Sequence, residues 1–375
     1  MAYWQNIAKC ISSIKKRKHA PQMLPPDSDI QIIAPNLNRR LSGVTSTIVR
    51  LVPIQARETG IVSFGLGLPA FIPRISFLHL LRLGYTRTST RNPRIWHARR
   101  NVEMLLGLFL KHILRHPYKL VFTSASQRKH SAYTKWLIKR MDHVIATSGA
   151  TAKYLEVPND VILHGIPLDD FSPVEDLEKA RKARNIPGNY VIGCFGRIRK
   201  QKGTDVFVDA MIEILPKYPQ ASAVVMGRAT ESHASFFQQL KDKVEASGLT
   251  DRILFPGEVG VHEISQWYKL LSLFVAPQRW EGFGLTPLEA MGCAVPVVAT
   301  TVGAFPELIC EEENGKLIEP GNVSQMVEAV ERYIKDPDMT HKHGQNALVH
   351  VHEHFPIGRE ARQILEIYQK VQTLP

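Results

Sequence analysis

The chain has 375 residues, 44% of them hydrophobic and 22% charged, with a formal net charge of +12. That is an ordinary globular mixture, too apolar for a disordered chain and long enough for two domains that each bury a core. Four cysteines (Cys10, Cys194, Cys293, Cys310) lie far apart with no CxxC pair, which argues against a disulfide scaffold or cysteine-rich zinc module and favours a reducing compartment.

Residues 1–26 stand apart. Trp4, Ile7, Ala8, Ile11 and Ile14 recur at helical spacing, followed by Lys15-Lys16-Arg17-Lys18 and then Pro21, Pro25 and Pro26. No long apolar core accompanies these charges, so this is not a secretory signal. The functional reading is a basic amphipathic anchor lying on an anionic bilayer. The plain reading is a solvated tail, or an upstream start with Met23 beginning the folded protein. No span crosses a membrane: the most apolar stretch, Gly60–Leu83, is broken by Pro69, Pro73 and Arg74, whereas a spanning helix needs ~20 nearly uninterrupted apolar residues.

From Ile30 short β-branched runs alternate with helical patterns. Predicted strands are Ile30–Ala34, Gly60–Phe64, Arg94–His97, Leu120–Thr123 and His143–Thr147, with a helix over Asn101–Leu114. A second series follows over Tyr190–Phe195, Ser222–Met226, Ile253–Phe255, Leu273–Ala276 and Val295–Ala299. Its helices fall near Thr204–Leu215, Ser232–Ala246, Ile264–Leu271 and Thr286–Gly292. Strand–helix–strand repeated twice predicts two doubly wound α/β domains, over 27–168 and 188–354, facing a cleft across a hinge at 169–187. The last segment, 355–375, reads as a helix placed to pack back on the N-terminal domain. Open parallel sheets bind ligands outside the carboxyl ends of their strands.

Charge is uneven. Residues 1–165 hold 25 Lys+Arg against 7 Asp+Glu, the remainder 22 against 28. The basic half asks for an anionic partner, and nucleic acid, anionic lipid or an acidic sugar would each satisfy it.

The most informative stretch is Glu281-Gly-Phe-Gly-Leu-Thr-Pro-Leu-Glu289, between the strand Leu273–Ala276 and a helix starting near Thr286. Gly282 and Gly284 let the backbone, with Phe283 and Leu285, approach a ligand closely, and helix-start amides cradle an anion. An acid on each side fits a nucleotide-sugar: Glu281 for the hexose, Glu289 for the ribose, amides for the phosphate between. The alternative is an ordinary strand–turn–helix with two surface glutamates. A second cluster, Gly196-Arg197-Ile-Arg199-Lys200-Gln-Lys202-Gly203, ends the first strand of the second half. There Arg197 can donate bidentately and Lys202 can act as a point charge on a diphosphate; otherwise it is a solvated basic loop.

Together these residues resemble the retaining glycosyltransferases of family 4, with a two-Rossmann (GT-B) fold. Glu281 and Glu289 match the family's paired glutamates, and Arg197 and Lys202 its diphosphate site. Gly227 and the Phe255-Pro-Gly-Glu-Val259 segment are similar to its donor and base loops, and Gly43 to its N-terminal phosphate glycine. Ile95-Trp-His-Ala-Arg-Arg-Asn101 and Val121-Phe-Thr-Ser-Ala-Ser-Gln127 look like bacterial lipopolysaccharide-core mannosyltransferases that use GDP-mannose. By that resemblance His97 faces the donor sugar, although a lone histidine also reads as a packed residue. Arg99 and Arg100 suit an anionic, Kdo-bearing acceptor, or are plain surface charge.

The resemblance implies retention with front-face attack, the leaving phosphate taking the acceptor proton. It also implies a cytoplasmic enzyme, peripheral on the inner face of the bacterial plasma membrane. No cofactor and no metal are expected: Asp27-Ser-Asp29 precedes a strand instead of ending one, and Asp169-Asp170 lies in the hinge. Gly65-Leu-Gly67 matches a dinucleotide fingerprint loosely, but Pro69 sits inside it and no acid follows at the required distance. Two other readings stay open: a family member using a UDP- or ADP-sugar on another acceptor, and a basic nucleic-acid-binding protein. No nucleic-acid motif or interleaved aromatics accompany the basic run, so nucleic acid is not the expected partner.

Overall fold

The computed structural model describes residues 24–38, 43–260 and 263–374; the predicted amphipathic anchor lies outside them. Thirteen strands appear among the described residues. They are β1 Ile30–Asn36, β2 Gly60–Gly65, β3 Arg74–Ile75, β4 Arg94–Ala98, β5 Tyr118–Ser124, β6 His143–Ala146, β7 Asp160–Val161, β8 Tyr190–Phe195, β9 Ala221–Met226, β10 Ile253–Gly257, β11 Leu273–Ala276, β12 Val297–Thr300 and β13 Gly315–Ile318. They form two sheets, ordered β3-β2-β1-β4-β5-β6-β7 and β10-β9-β8-β11-β12-β13. Every pairing is parallel.

The short apolar runs become strands because both sheet faces are covered. Along β8, Val191 and Phe195 enter one core cluster while Tyr190, Ile192 and Cys194 enter the other, as the two-residue period requires. Every residue of β8, β9, β11 and β12 is buried. Burial on both faces also pushes the Cys194 thiol up to about 12, so it packs as a small hydrophobe.

Strand order reverses between β1 and β4 in the first sheet and between β8 and β11 in the second. Loops leaving neighbouring strands diverge at such switch points and open a crevice there. The two motif loops, after β8 and β11, flank the second of these points.

The chain crosses between domains twice, and the crossings are bonded together. Ile166 N donates to Phe355 O at 2.9 Å and Ile357 N donates to Ile166 O at 3.0 Å. Beyond the crossing, the helix Ile357–Gln372 places Ala361, Ile364, Tyr368 and Val371 in one cluster with Ile32, Ile48 and Val52 of the N-terminal domain. The predicted hinge segment carries a helix of its own, Leu177–Lys182, whose Arg181 is buried. Its guanidinium donates to Leu270 O at 2.7 Å and to Ser272 Oγ at 2.9 Å, fastening that helix to the C-terminal domain.

Candidate active site

The loops after β8 and β11 are tied to each other from below. Arg279 donates through Nη1 and Nη2 to Asp205 Oδ1 and Oδ2 at 2.6 and 2.9 Å, and through Nη1 to Lys200 O at 2.6 Å. A bidentate guanidinium–carboxylate pair is directional as well as strong, so it sets the spacing between the loops. Gly203 completes the fit: its φ is +70°, and a Cβ there would lie 1.8 Å from Pro277 O. Neither Arg279 nor Asp205 is singled out by the sequence motifs, because the pair forms only when β8 and β11 lie side by side.

This staple brings Lys202 and Glu281 into direct contact, Nζ donating to Oε2, while Glu281 Oε1 accepts from Gly282 N at 3.0 Å. The two groups that the sequence assigned to one site lie together. They are also each other's partner in this structure. Nearer the start of the loop after β8, a cleft of about 700 Å³ is lined by Arg197, Ile198, Arg199 and the segment Arg228–His233, and not by Lys202 or Glu281. Burial, then the neighbouring Arg197, lowers the pKa of the Arg199 guanidinium.

The loops after β8, β9 and β10 run together at this cleft. Gly196 N donates to Met226 O, Ile198 N to Arg228 O and Gly227 N to Gly257 O. Gly227 allows it: a Cβ there would lie 1.8 Å from Gly196 O. Val259 packs partly buried against the C-terminal core. Phe283 is buried and Leu285 partly so, both packed into that same core.

Glu289 sits one turn into the helix Thr286–Met291 and is 7% exposed. Its Oε2 accepts from the Tyr268 hydroxyl at 3.0 Å, and its Oε1 from Arg50 Nη2 at 2.9 Å. Arg50 belongs to the N-terminal domain, on the helix Gly43–Gln55 that starts at Gly43, so this pair spans the cleft. Two further bonds do the same: Gln127 Nε2 donates to Gly282 O at 2.7 Å, and Trp280 Nε1 to Gln127 O at 3.3 Å. Glu307 accepts from Gly149 N and Ala150 N at 2.9 and 3.1 Å.

Three expectations on the N-terminal side need correction. His97 is fully buried and does not face the cleft. Its Nδ1 bonds the Tyr368 hydroxyl at 2.6 Å and its Nε2 bonds Thr123 Oγ1 at 2.7 Å, so neither nitrogen is left for a sugar. Burial, then the charge of Arg99, drives its pKa well below the ordinary histidine value. Arg99 is itself buried, with Nη1 on His97 O at 3.3 Å. Arg100 is held by Glu103 Oε1, Asn36 Oδ1 and Thr45 Oγ1 at 2.6, 2.9 and 3.1 Å. These two arginines brace the carboxyl ends of β1 and β4 and are not exposed cations awaiting an acceptor. The predicted strand–helix junction is present, but the side chains turn inward because Glu103 and Tyr368 offer partners there.

Residues 176–349 match the family described as glycosyl transferases group 1. Two curated relatives span nearly the whole chain. The lipopolysaccharide core biosynthesis mannosyltransferase LpcC of Rhizobium leguminosarum bv. viciae is 50% identical over 93% of this chain and 98% of its own. The corresponding LpsB of Rhizobium meliloti is 51% identical over 92% and 98%. Among solved structures, Anabaena HepE in complex with UDP superposes with a TM-score of 0.77 at 21% identity, covering 91% of this chain and all of its own; that likeness concerns the fold. Two parallel-sheet domains, two motif loops at one switch point and relatives of half-identical sequence lead to one conclusion: the chain belongs to the glycosyl transferases group 1 family and is a glycosyltransferase of the GT-B fold.

Proposed function

We propose that this enzyme transfers mannose from GDP-mannose to a hydroxyl of a Kdo-bearing lipopolysaccharide core acceptor, with retention of anomeric configuration. The observation that carries the reading is the contact of Lys202 with Glu281, and of Glu281 with Gly282 N, at the carboxyl ends of β8 and β11, with Arg197 lining a cleft on the same β8 loop. Support for mannose and for the core acceptor comes from the names of the two rhizobial relatives.

In transfer the sugar ring gains oxocarbenium character while the departing diphosphate gains negative charge. Arg197 and Lys202 are the cations aimed at that charge, and a preorganised donor of this kind is worth ~3–4 kcal/mol. Lys202 meets Glu281 when no diphosphate competes and exchanges that partner for the phosphate when one binds. Glu281 then orients the hexose and Glu289 the ribose. The leaving phosphate takes the acceptor proton, so no protein nucleophile is required. The cross-cleft bonds of Arg50 and Gln127 hold the domains together over the donor, excluding water that would otherwise hydrolyse it.

The acceptor's lipid anchor places the reaction at the inner face of the plasma membrane. The proposed contact there is peripheral, aided by the basic segment 1–22; no helix of the described residues is long and apolar enough to span a bilayer.

A second reading, a UDP-sugar donor, is favoured by the UDP held in the Anabaena neighbour. Product analysis separates the two: the full chain is incubated with isolated core lipid and GDP-mannose, UDP-glucose or ADP-glucose in turn. Mannose transfer giving the donor's own anomer supports the proposal. Turnover of a UDP- or ADP-sugar alone replaces the donor, and inversion removes the front-face mechanism.

A further inference from the structure

We propose that the outer face of the helices Asn101–His112 and Ala132–Ile138 docks on an anionic phospholipid bilayer. The two helices pack side by side. Met104 and Leu108 from one and Leu137 and Ile138 from the other enter a single core cluster on the N-terminal sheet. Asn101 Nδ2 donates to Thr134 Oγ1 at 2.8 Å between them. Since both bury their inner faces in the same place, their outer faces look the same way.

What they present outward is unusual for a surface. Leu105, Phe109 and Ile113 recur every four residues, a stripe of ~12 Å at helical rise. Tyr133 and Trp136 stand on the neighbouring helix, their rings stacked at 6.4 Å. These five side chains are 44 to 67% exposed. Contiguous apolar surface with a polar rim marks a contact site, and aromatic residues of this kind sit at the level of lipid headgroups.

The rim is cationic. Arg115, Arg128, Lys129, Lys139 and Arg140 are exposed in the segments that border the two helices along the chain, and the Arg140 guanidinium lies 4.0 Å from the Trp136 ring centroid. From residue 59 to 141 the chain holds 15 Lys+Arg and one acid, Glu103, which is fully buried and bonded to Arg100. The carboxylates adjoining this region, Asp142 and Glu156, are already paired with Lys111 and Lys135.

Charge selects the occupant. The chain's own amphipathic segment carries Lys15-Lys16-Arg17-Lys18, and a second copy would set one basic face against another; both would be repelled. An anionic bilayer offers apolar depth for the stripe and opposite charge for the rim. The placement also serves the reaction. The helix Asn101–His112 starts at the carboxyl end of β4, beside the cleft, so a bilayer along its side keeps lipid-anchored sugars near the cleft mouth. The inference deepens the membrane-surface reading of the proposed function and rests on it, but its test needs no transfer.

The full chain is floated with phosphatidylcholine vesicles with or without phosphatidylglycerol, next to the variants Phe109→Ser/Trp136→Ser and Lys129→Glu/Lys139→Glu. A third variant, Ile7→Ser/Ile11→Ser, alters the N-terminal segment alone. The wild type is expected to bind anionic vesicles and release in high salt. Each face variant should bind at least tenfold more weakly, given roughly fivefold per cation near such a surface. Donor hydrolysis in solution and circular dichroism, both unchanged, show that the variants are folded. Equal flotation of face variants and wild type overturns the proposal. So does indifference to phosphatidylglycerol, or loss of binding in the Ile7/Ile11 variant alone. Concentration-dependent dimerisation abolished by Phe109→Ser/Trp136→Ser, without vesicle binding, assigns the face to a second copy and overturns it equally. Absent transfer with intact flotation counts instead against the proposed reaction.

Discussion

The Arg50 guanidinium reaches across the cleft to donate to Glu289 Oε1 at 2.9 Å, while the Tyr268 hydroxyl donates to the other oxygen, Oε2, at 3.0 Å. Tyr268 is fully buried, and that burial, with the Glu289 charge beside it, holds its pKa well above the usual tyrosine value. The phenol is thus a fixed neutral donor. Each carboxylate oxygen has two acceptor sites, so these bonds aim the carboxylate and leave acceptor capacity on each oxygen, which the proposed function assigns to the ribose.

Tyr268→Phe keeps the packed ring and removes only that donor. A hydrogen bond to a charged group is worth about 1.5–3 kcal/mol, so the donor KM is expected to rise roughly tenfold or more, with kcat changed less. Arg50→Met should act in the same direction, and Arg50→Lys should recover part of the loss. Steady-state kinetics on the three variants check this; an unchanged KM in Tyr268→Phe would mean that Glu289 does not hold the donor.

Lys202 and Glu281 touch, so their substitutions cannot be independent. Lys202→Met and Glu281→Gln are each expected to lower kcat/KM by roughly a hundredfold or more. The double variant should fall short of the product of the two losses, because the second substitution removes a partner already lost. Additive logarithms in the double-mutant cycle would place the two groups in separate roles.

Gly282 lies against the opposite domain. A Cβ at this position would stand 2.6 Å from Ala125 O of the opposite domain, and a backbone carbonyl yields only if the domains part. Gly282→Ala is expected to lower transfer about tenfold or more while leaving the thermal midpoint within about 2 °C of wild type. An unfolded or strongly destabilised variant would locate the contact in the core and not in the cleft.

His97 makes stability depend on pH. Its folded-state pKa lies well below the ordinary value of 6.5, so below about pH 6.5 the unfolded chain binds a proton that the folded chain refuses. Stability is therefore full above pH 6.5 and falls as the pH drops, by up to about 1.4 kcal/mol per unit, until the folded-state pKa is reached. Thermal melts between pH 7.5 and 5.0 should show a shallower decline for His97→Gln than for the wild type. Parallel declines would contradict the buried, neutral histidine.

Much of the architecture is legible in the sequence because buried parallel strands announce themselves. Tyr190–Phe195 and Leu273–Ala276 are read to the residue, since a run apolar on both faces is bounded by turn residues on each side. Other ends shift: the run expected at Val295–Ala299 is the strand Val297–Thr300. The helix Gly43–Gln55 escapes notice, with Pro53 inside it and Ser and Thr among its residues. The two-residue edge strands β3 and β7 are too short to carry a pattern.

At the site, the contact of Glu281 with Lys202 is within reach of the sequence because each lies in a short, glycine-containing loop at the end of a readable strand. Arg50 and His97 are not. Arg50 meets Glu289 across 239 positions of chain, and His97 meets Tyr368 across 271.

By itself the sequence determined the two-sheet plan and the gathering of cations, glycines and an acid in the loops after β8 and β11, since both follow from local periodicity and local composition. Only the tertiary structure decided which polar groups face one another. A side chain's partner depends on which distant element the packing brings within about 3 Å of it. That is why His97 became a core residue and Glu289 acquired a guanidinium from the other domain.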